Sequence, residues 1–260
     1  MDLDLAGRTA LITGGSKGIG RATAELLAAE GCNLILVART AADLDAAKAT
    51  ILRKANVRVD TMAMDLSAGA NVPRLATDFP AVDIVVNNAG AIPGGNLADV
   101  DEARWRAAWD LKVFGYINMC RAYYALMKPR KSGVIINVIG AAAQTRDPDY
   151  ICGVTGNAGL VAFSRSLGSV SHKDGIRVVA LNPGPVSTDR HVMLMRKKAL
   201  DRTGDPESWR ELVKSLPFGR ASTPQEIAAA IAFLASDRSA YTSGSVLTVD
   251  AGISARAQST

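Results

Sequence analysis

Thr9-Ala10-Leu11-Ile12-Thr13-Gly14-Gly15-Ser16-Lys17-Gly18-Ile19-Gly20 opens the stretch, ending at Arg39, whose reading decides the fold. Ala10-Leu11-Ile12 is a short apolar run, and the glycines follow at once. From Arg21 a helical pattern places Leu26, Leu27 and Ala28 on one face. Residues 33–38 form a second apolar run, as expected for a strand buried on both faces of a parallel sheet. Glycine lets the backbone turn sharply and come close to a ligand, and the amides opening the next helix attract a pyrophosphate. The spacing is Gly-x-x-x-Gly-x-Gly, not Gly-x-Gly-x-x-Gly. Its place between strand and helix is what predicts a nucleotide site.

Working outward, the pattern predicts a helix over 43–54, a strand over 57–64 ending at Asp65-Leu66, and a short helix over 71–79. A strand over 82–86 runs into Asn87-Asn88-Ala89-Gly90, and a long helical region covers 100–128. Strands follow at 134–139, 176–181 and 246–249, with helices at 153–170 and 224–235 and a helical insertion at 187–220. Strand and helix alternate throughout without a linker, so one α/β domain with a doubly wound parallel sheet accounts for residues 1–260.

The chain has 260 residues, long enough for a full core. Lys and Arg exceed Asp and Glu by 30 to 25 without a basic block, which argues against a nucleic-acid partner. Residues 187–220 hold 8 basic and 5 acidic side chains, so +3 of the +5 surplus sits there. Cys32, Cys120 and Cys152 show no disulfide or zinc spacing, and two histidines make no metal site by themselves. The acidic start, Met1 to Leu5, is unlike a signal peptide. No apolar run approaches the roughly 18 residues that span a membrane. A cytoplasmic, reduced chain is the expectation.

Thr13-Gly-x-x-x-Gly-Ile-Gly20, Asn87-Asn-Ala-Gly90, Asn182-Pro-Gly-Pro-Val186 with Thr188, and Tyr241-Thr-Ser-Gly244 to Val249-Asp-Ala-Gly252 occur in family order. Over essentially its whole length the chain resembles the short-chain dehydrogenase/reductases. The resemblance implies a Rossmann fold, a nicotinamide dinucleotide, a small-molecule substrate and a homo-oligomer, dimer or tetramer. It implies that Gly14, Ser16, Gly18, Ile19 and Gly20 surround the pyrophosphate and adenosine ribose. Asp65 and Leu66 would meet adenine, Asn88, Ala89 and Gly90 the ribose, and Pro183, Gly184 and Val186 the nicotinamide. Arg39 stands at the end of the second strand, where a carboxylate would repel a 2′-phosphate, and Lys17 lies in the turn on the same side. Two cations there favour NADP(H) over NAD(H).

The family's proton chemistry rests on a Tyr-x-x-x-Lys pair, a serine after the fifth strand and an asparagine in the preceding helix. Aligned on Asn157-Ala158-Gly159-Leu160, the lysine slot holds Asn157 and the tyrosine slot Gly153. The serine slot falls on Gly140, and the asparagine slot on Lys112. A shifted alignment does not restore the pair: Tyr150 is the only tyrosine between Ala125 and Ala240, and no lysine lies between Ser132 and His172. Asn157 remains a candidate contact to the cofactor. Four replacements for the missing acid/base set compete: Tyr150, one helical turn before Gly153; Lys112, as a displaced cation; Cys152, at a helix start; and His191, in the insertion. Each has a plain structural reading as well. Gly153, Gly156 and Gly159 serve either close packing, as against another subunit, or a widened pocket.

Two functions stay open. One is an NADP(H)-dependent oxidoreductase on a hydroxyl or carbonyl substrate with a rebuilt acid/base set. Its insertion, apolar over Val192 to Met195 and basic over Arg196, Lys197 and Lys198, would suit an anionic substrate with an apolar portion. The other is a dinucleotide-binding protein without ordinary redox turnover, acting as sensor, partner subunit or non-redox catalyst.

Overall fold

The computed structural model describes residues 2–256, so Met1 of the acidic start lies outside it. The chain runs β1 (Thr9–Thr13), α1 (Gly18–Ala29), β2 (Asn33–Ala38), α2 (Ala41–Leu52), β3 (Val59–Ala63), α3 (Asn71–Asp78) and β4 (Ile84–Asn87). It continues through α4 (Glu102–Trp109), α5 (Gly115–Met127), β5 (Gly133–Val138), α6 (Ala142–Thr145) and α7 (Ile151–Ser171). The last elements are β6 (Ile176–Pro183), α8 (Asp189–Thr203), α9 (Trp209–Lys214), α10 (Pro224–Ala235) and β7 (Val246–Val249). All seven strands pair in parallel, in the order β3-β2-β1-β4-β5-β6-β7. The doubly wound sheet expected from the alternation is therefore present.

Alternation along each strand feeds two cores. Ala10 and Ile12 of β1, with Leu34 and Leu36 of β2, pack on one face against α1, α2 and α10. Leu11, Ile35 and Val37 face the other way, onto α3 and onto Met119, Tyr123 and Met127 of α5. Each such Leu, Ile, Val or Met side chain, fully buried, contributes roughly 1.5–3 kcal/mol. The chain leaves β1 toward β2 on one side and returns to its other side with β4. That reversal opens a crevice at the strands' C-terminal ends.

Three local differences from the sequence pattern bear on that crevice. Helix α1 starts at Gly18 rather than Arg21, so the last glycines form its first turn. The long helix is broken: Asp110–Phe114, between α4 and α5, is a π-helical turn. Such insertions re-aim one side chain and concentrate at functional sites; here Lys112 is turned inward and keeps only 7% exposure. Finally, α7 begins at Ile151, which makes Tyr150 its capping residue, with φ −137° and ψ 33°. Among the described residues no helix is long and apolar enough to cross a membrane.

Candidate active site

The glycine turn is stitched to the end of β4. Thr13 Oγ1 accepts the amides of Asn88 (2.9 Å) and Ala89 (3.0 Å), and Asn88 Nδ2 donates to the Thr13 carbonyl at 3.0 Å. A Cβ on Gly14 would lie 2.9 Å from Asn88 Nδ2, and one on Gly20 would overlap the Gly14 carbonyl oxygen. Gly14 and Gly18 hold φ of 67° and 54°, where side chains are strained. Lys17, the capping residue of α1, offers the helix no side-chain acceptor. The first amides of α1 therefore point at the crevice without a side-chain partner, which fits the pyrophosphate of a dinucleotide. Ser16 is buried beside this turn, and Ile19 packs into the core beneath it.

At the outer corner, exposed Lys17 pairs with Asp43 of α2 at 2.8 Å. Arg39 is also exposed. Asp65 has its carboxyl held low mainly by the Ser67 amide, then by the Ser67 hydroxyl and by the nearby Arg39 guanidinium; Leu66 is buried. An exposed pair such as Lys17–Asp43 is worth under about 1 kcal/mol, so a phosphate could recruit the lysine. On the far side, the Pro183 carbonyl accepts the Ala141 amide at 2.8 Å, Gly184 abuts Asp250, and buried Val186 bridges to Ser222. Thr188 caps α8 by accepting the His191 amide, and its Cγ2 lies 3.2 Å from where a Gly18 Cβ would stand. The start of α8 thus sits directly over the glycine turn.

The positions aligned above with the family's catalytic residues are packed against nearby side chains. A Cβ on Gly153 would overlap the Cε1–Cζ edge of Tyr150, so the phenol ring fills the space left by the glycine. Tyr150 packs against the buried cluster of Ile92, Val100, Ala108 and Cys152, which Trp105 and Trp109 also flank. Its loop is tied by a β-bridge to Gly95, whose amide donates to the Asp149 carbonyl at 2.7 Å. The Tyr150 hydroxyl has no hydrogen-bond partner among the described residues. Burial raises its pKa, Arg190 partly offsets that, and Cys152 adds to it. Gly156 is filled by Val113 and Trp109, whereas nothing lies within 4 Å of a Cβ on Gly159. The three glycines therefore do three different things.

Lys112 reaches beneath Gly90, where a Cβ would lie 2.7 Å from its Cδ. Its Nζ donates to Tyr116 Oη (2.9 Å) and to the Val138 carbonyl (2.7 Å), which also accepts from Tyr116 Oη at 2.9 Å. Burial, reinforced by Arg190, lowers its pKa to about 7. A displaced full cation is therefore not what this lysine offers near neutrality; it is poised between its two forms. Because the folded pKa lies below the ordinary 10.5, the charged form is penalised: fully below about pH 7, progressively less up to pH 10.5. Lys112→Met is expected to stabilise the fold by roughly 1–4 kcal/mol at pH 6. It should also flatten the rise in stability between pH 7 and 10 seen in wild type, as urea denaturation at stepped pH would show.

Asn157 points its Nδ2 to within 2.9 Å of a Gly140 Cβ position, and its buried Oδ1 has no partner. Asn182 Oδ1 accepts the Gly140 amide at 3.4 Å while its own Nδ2 is buried and unpartnered. Two orphaned amide atoms, one acceptor and one donor, thus flank Gly140, a pairing that a water satisfies. The other two candidates fare differently. The Cys152 thiol is buried and its pKa raised by that burial, not lowered by the helix start, so it is no activated nucleophile. His191 is half-buried, held toward its neutral form by desolvation, with Nε2 unpartnered.

The pattern reading missed Arg190. It carries no motif; its only signal is a place two residues after Thr188, at the mouth of α8. Its Nη2 donates to the Ile92 carbonyl. The basic rim expected from Arg196, Lys197 and Lys198 is largely neutralised, Arg196 by Glu207 (3.0 Å) and Lys197 by Asp201 (2.7 Å).

Residues 14–254 match the family described as enoyl-(acyl carrier protein) reductase. The 3-oxoacyl-(acyl-carrier-protein) reductase FabG of Chlamydia trachomatis is 32% identical over 253 residues, covering 96% of this chain and 98% of that protein. The L-tagatose-forming galactitol 2-dehydrogenase of Cereibacter sphaeroides is 33% identical over 251 residues, 95% of each. L-Sorbose reductase from Gluconobacter frateurii, solved with NADPH and L-sorbose, superposes with a TM-score of 0.91 at 30% identity, covering 99% of this chain and 100% of that one. With fold, motifs and relatives in agreement, the chain belongs to the short-chain dehydrogenase/reductase family of oxidoreductases.

Proposed function

We propose that this protein is an NADP(H)-dependent reductase of a small carbonyl compound in which Tyr150 donates the proton. The observation that carries the reading is the Tyr150 ring seated on Gly153. A phenol thereby reaches, from the preceding turn, the space left beside the helix. When bound, the nicotinamide supplies the hydride. The α1 amides with Gly14, Ser16, Gly18, Ile19 and Gly20 would hold the pyrophosphate, and Asp65 and Leu66 the adenine. Asn88, Ala89 and Gly90 would hold the ribose, with Asn157 nearby, and Pro183, Gly184 and Val186 would flank the nicotinamide. Of the two orphaned atoms beside Gly140, only the Asn182 Nδ2 donor would suit a carbonyl oxygen; the Asn157 Oδ1 would need a hydroxyl or water donor.

Burial keeps the Tyr150 phenol protonated at neutral pH, the form that carbonyl reduction requires of its proton donor. Lys112, under Gly90, sits close to its own pKa and would tune the charge below the ribose. The residues 187–220, with α8 over the glycine turn, would act as the lid of a single domain. The open, exposed Gly159 supports assembly of two or four copies along α7, and the free buried cysteines support a cytoplasmic setting.

The test titrates NADPH by fluorescence and then follows its absorbance with a panel of ketones and aldehydes; binding without oxidation of NADPH by any of them sinks the reductase reading. Arg39→Asp should reverse the cofactor preference toward NADH by at least tenfold in Kd, and an unchanged preference would remove Arg39 from phosphate recognition. A second reading, dinucleotide binding without redox turnover, is favoured by one observation: among the described residues no lysine bears on Tyr150. Tight NADPH binding together with an inert panel is its signature.

A further inference from the structure

Helix α8 presents two different faces. Asp189, Val192, Met193 and Arg196, spaced at helical intervals, line an open cleft of about 300 Å³. Arg190 and Leu194, one turn apart, lie instead against the loop that follows β4: Arg190 Nη2 donates to Ile92 O, and Leu194 Cδ2 lies 3.9 Å from a Gly94 Cβ position. That loop also holds Tyr150 through its bridge at Gly95. Arg190, Tyr150 and the buried Ile92 therefore meet at one place.

Arg190 is incompletely used there. A guanidinium has five N–H donors in a fixed fork, and the Ile92 carbonyl is the only acceptor it meets among the described residues. It is half-buried, and no carboxylate among the described residues pairs with it, although Arg196 and Lys197 on the same helix each have one. Its field nevertheless reaches both Lys112, where no opposing charge offsets it, and Tyr150, where Cys152 works against it. A half-buried guanidinium with most of its fork unused is a ready partner for an anion. On the reductase reading above, we infer that Arg190 binds a carboxylate of the substrate, so that the carbonyl reduced beside Tyr150 belongs to an oxo acid with an apolar chain. The chain would lie along Ile92 and Leu194, and the carboxylate would take the free edge of the guanidinium. Substrate charge is then read by a residue on the inner face of the lid, not by the rim.

The probes are 2-, 3- and 4-oxohexanoate with the three matched amides as substrates, and hexanoate against hexanamide as non-reacting ligands in thermal unfolding. For wild type, the best acid should show a KM about 10- to 100-fold below that of its amide, the scale of a charge-assisted hydrogen-bond pair. Arg190→Met should bring that ratio close to one, and Arg190→Lys, with charge but no fork, should restore it in part. Hexanoate should raise the melting temperature of wild type but not of Arg190→Met, and hexanamide should raise neither. Equal KM values for acid and amide in wild type, or no effect of hexanoate on wild type, would overturn the assignment. Stabilisation by hexanoate that depends on Arg190, with no NADPH oxidation by any oxo compound, would uphold the anion site and reject the reductase reading.

Discussion

Tyr150→Phe should slow NADPH-linked carbonyl reduction by roughly 10²–10⁴-fold, the usual loss when one general acid is removed. The change deletes a single hydroxyl that makes no hydrogen bond among the described residues, and the ring keeps its packing against the cluster of Ile92, Val100, Ala108 and Cys152. Fold and cofactor affinity should therefore survive, and the loss should fall on kcat. Gly153→Ala is the companion variant. Its methyl group would overlap the Tyr150 ring edge and force the ring away, so it should lower kcat in the same direction while leaving NADPH affinity intact. Wild-type turnover in Tyr150→Phe would mean that solvent or another group delivers the proton, and that the ring is only packing.

Gly20→Ala should abolish measurable NADPH binding, weakening Kd by at least 100-fold, and should lower stability by roughly 1–3 kcal/mol, the usual range for overpacking. The reason is purely steric. A methyl group there would overlap the Gly14 carbonyl oxygen and come within 2.6 Å of Asn88 Nδ2, and both are fixed by the Thr13 stitch to β4. Neither can yield without opening the turn whose amides face the crevice. Gly159→Ala is the control, since its Cβ meets nothing within 4 Å and it replaces a poor helix former. Calorimetric titration with NADPH distinguishes the two variants, and retained micromolar affinity in Gly20→Ala would show that the turn is softer than its contacts imply.

The sheet was legible because a parallel strand buried on both faces is written as an uninterrupted apolar run, and α10 and β7 fall on the expected residues, 224–235 and 246–249. The dinucleotide motifs were legible for a related reason: glycine is forced wherever backbone meets backbone, as at Gly14 and Gly20. Other features leave no such mark. The π turn at Lys112 depends on one extra residue per turn, which periodicity over a window this short does not resolve. The start of α1 was placed late because Gly18 and Gly20 read as turn residues, although close packing requires them inside the helix. That Tyr150 folds onto Gly153, and not into solvent, depends on the bridge to Gly95, a pairing 55 residues away in sequence. Arg190 was invisible because nothing in a sequence marks a cation as lacking a partner. The basic cluster at 196–198 misled for the converse reason, since its carboxylates sit outside the cluster, at Asp201 and Glu207.

Two fastenings described above are mounted in series. Arg190 ties α8 to Ile92, and Gly95 a few residues on ties the same loop to the turn that carries Tyr150. On the proposed function, a movement of α8 that released a product would pull on the segment that seats the Tyr150 ring, so the proposed proton donor would be in place only while α8 stays down.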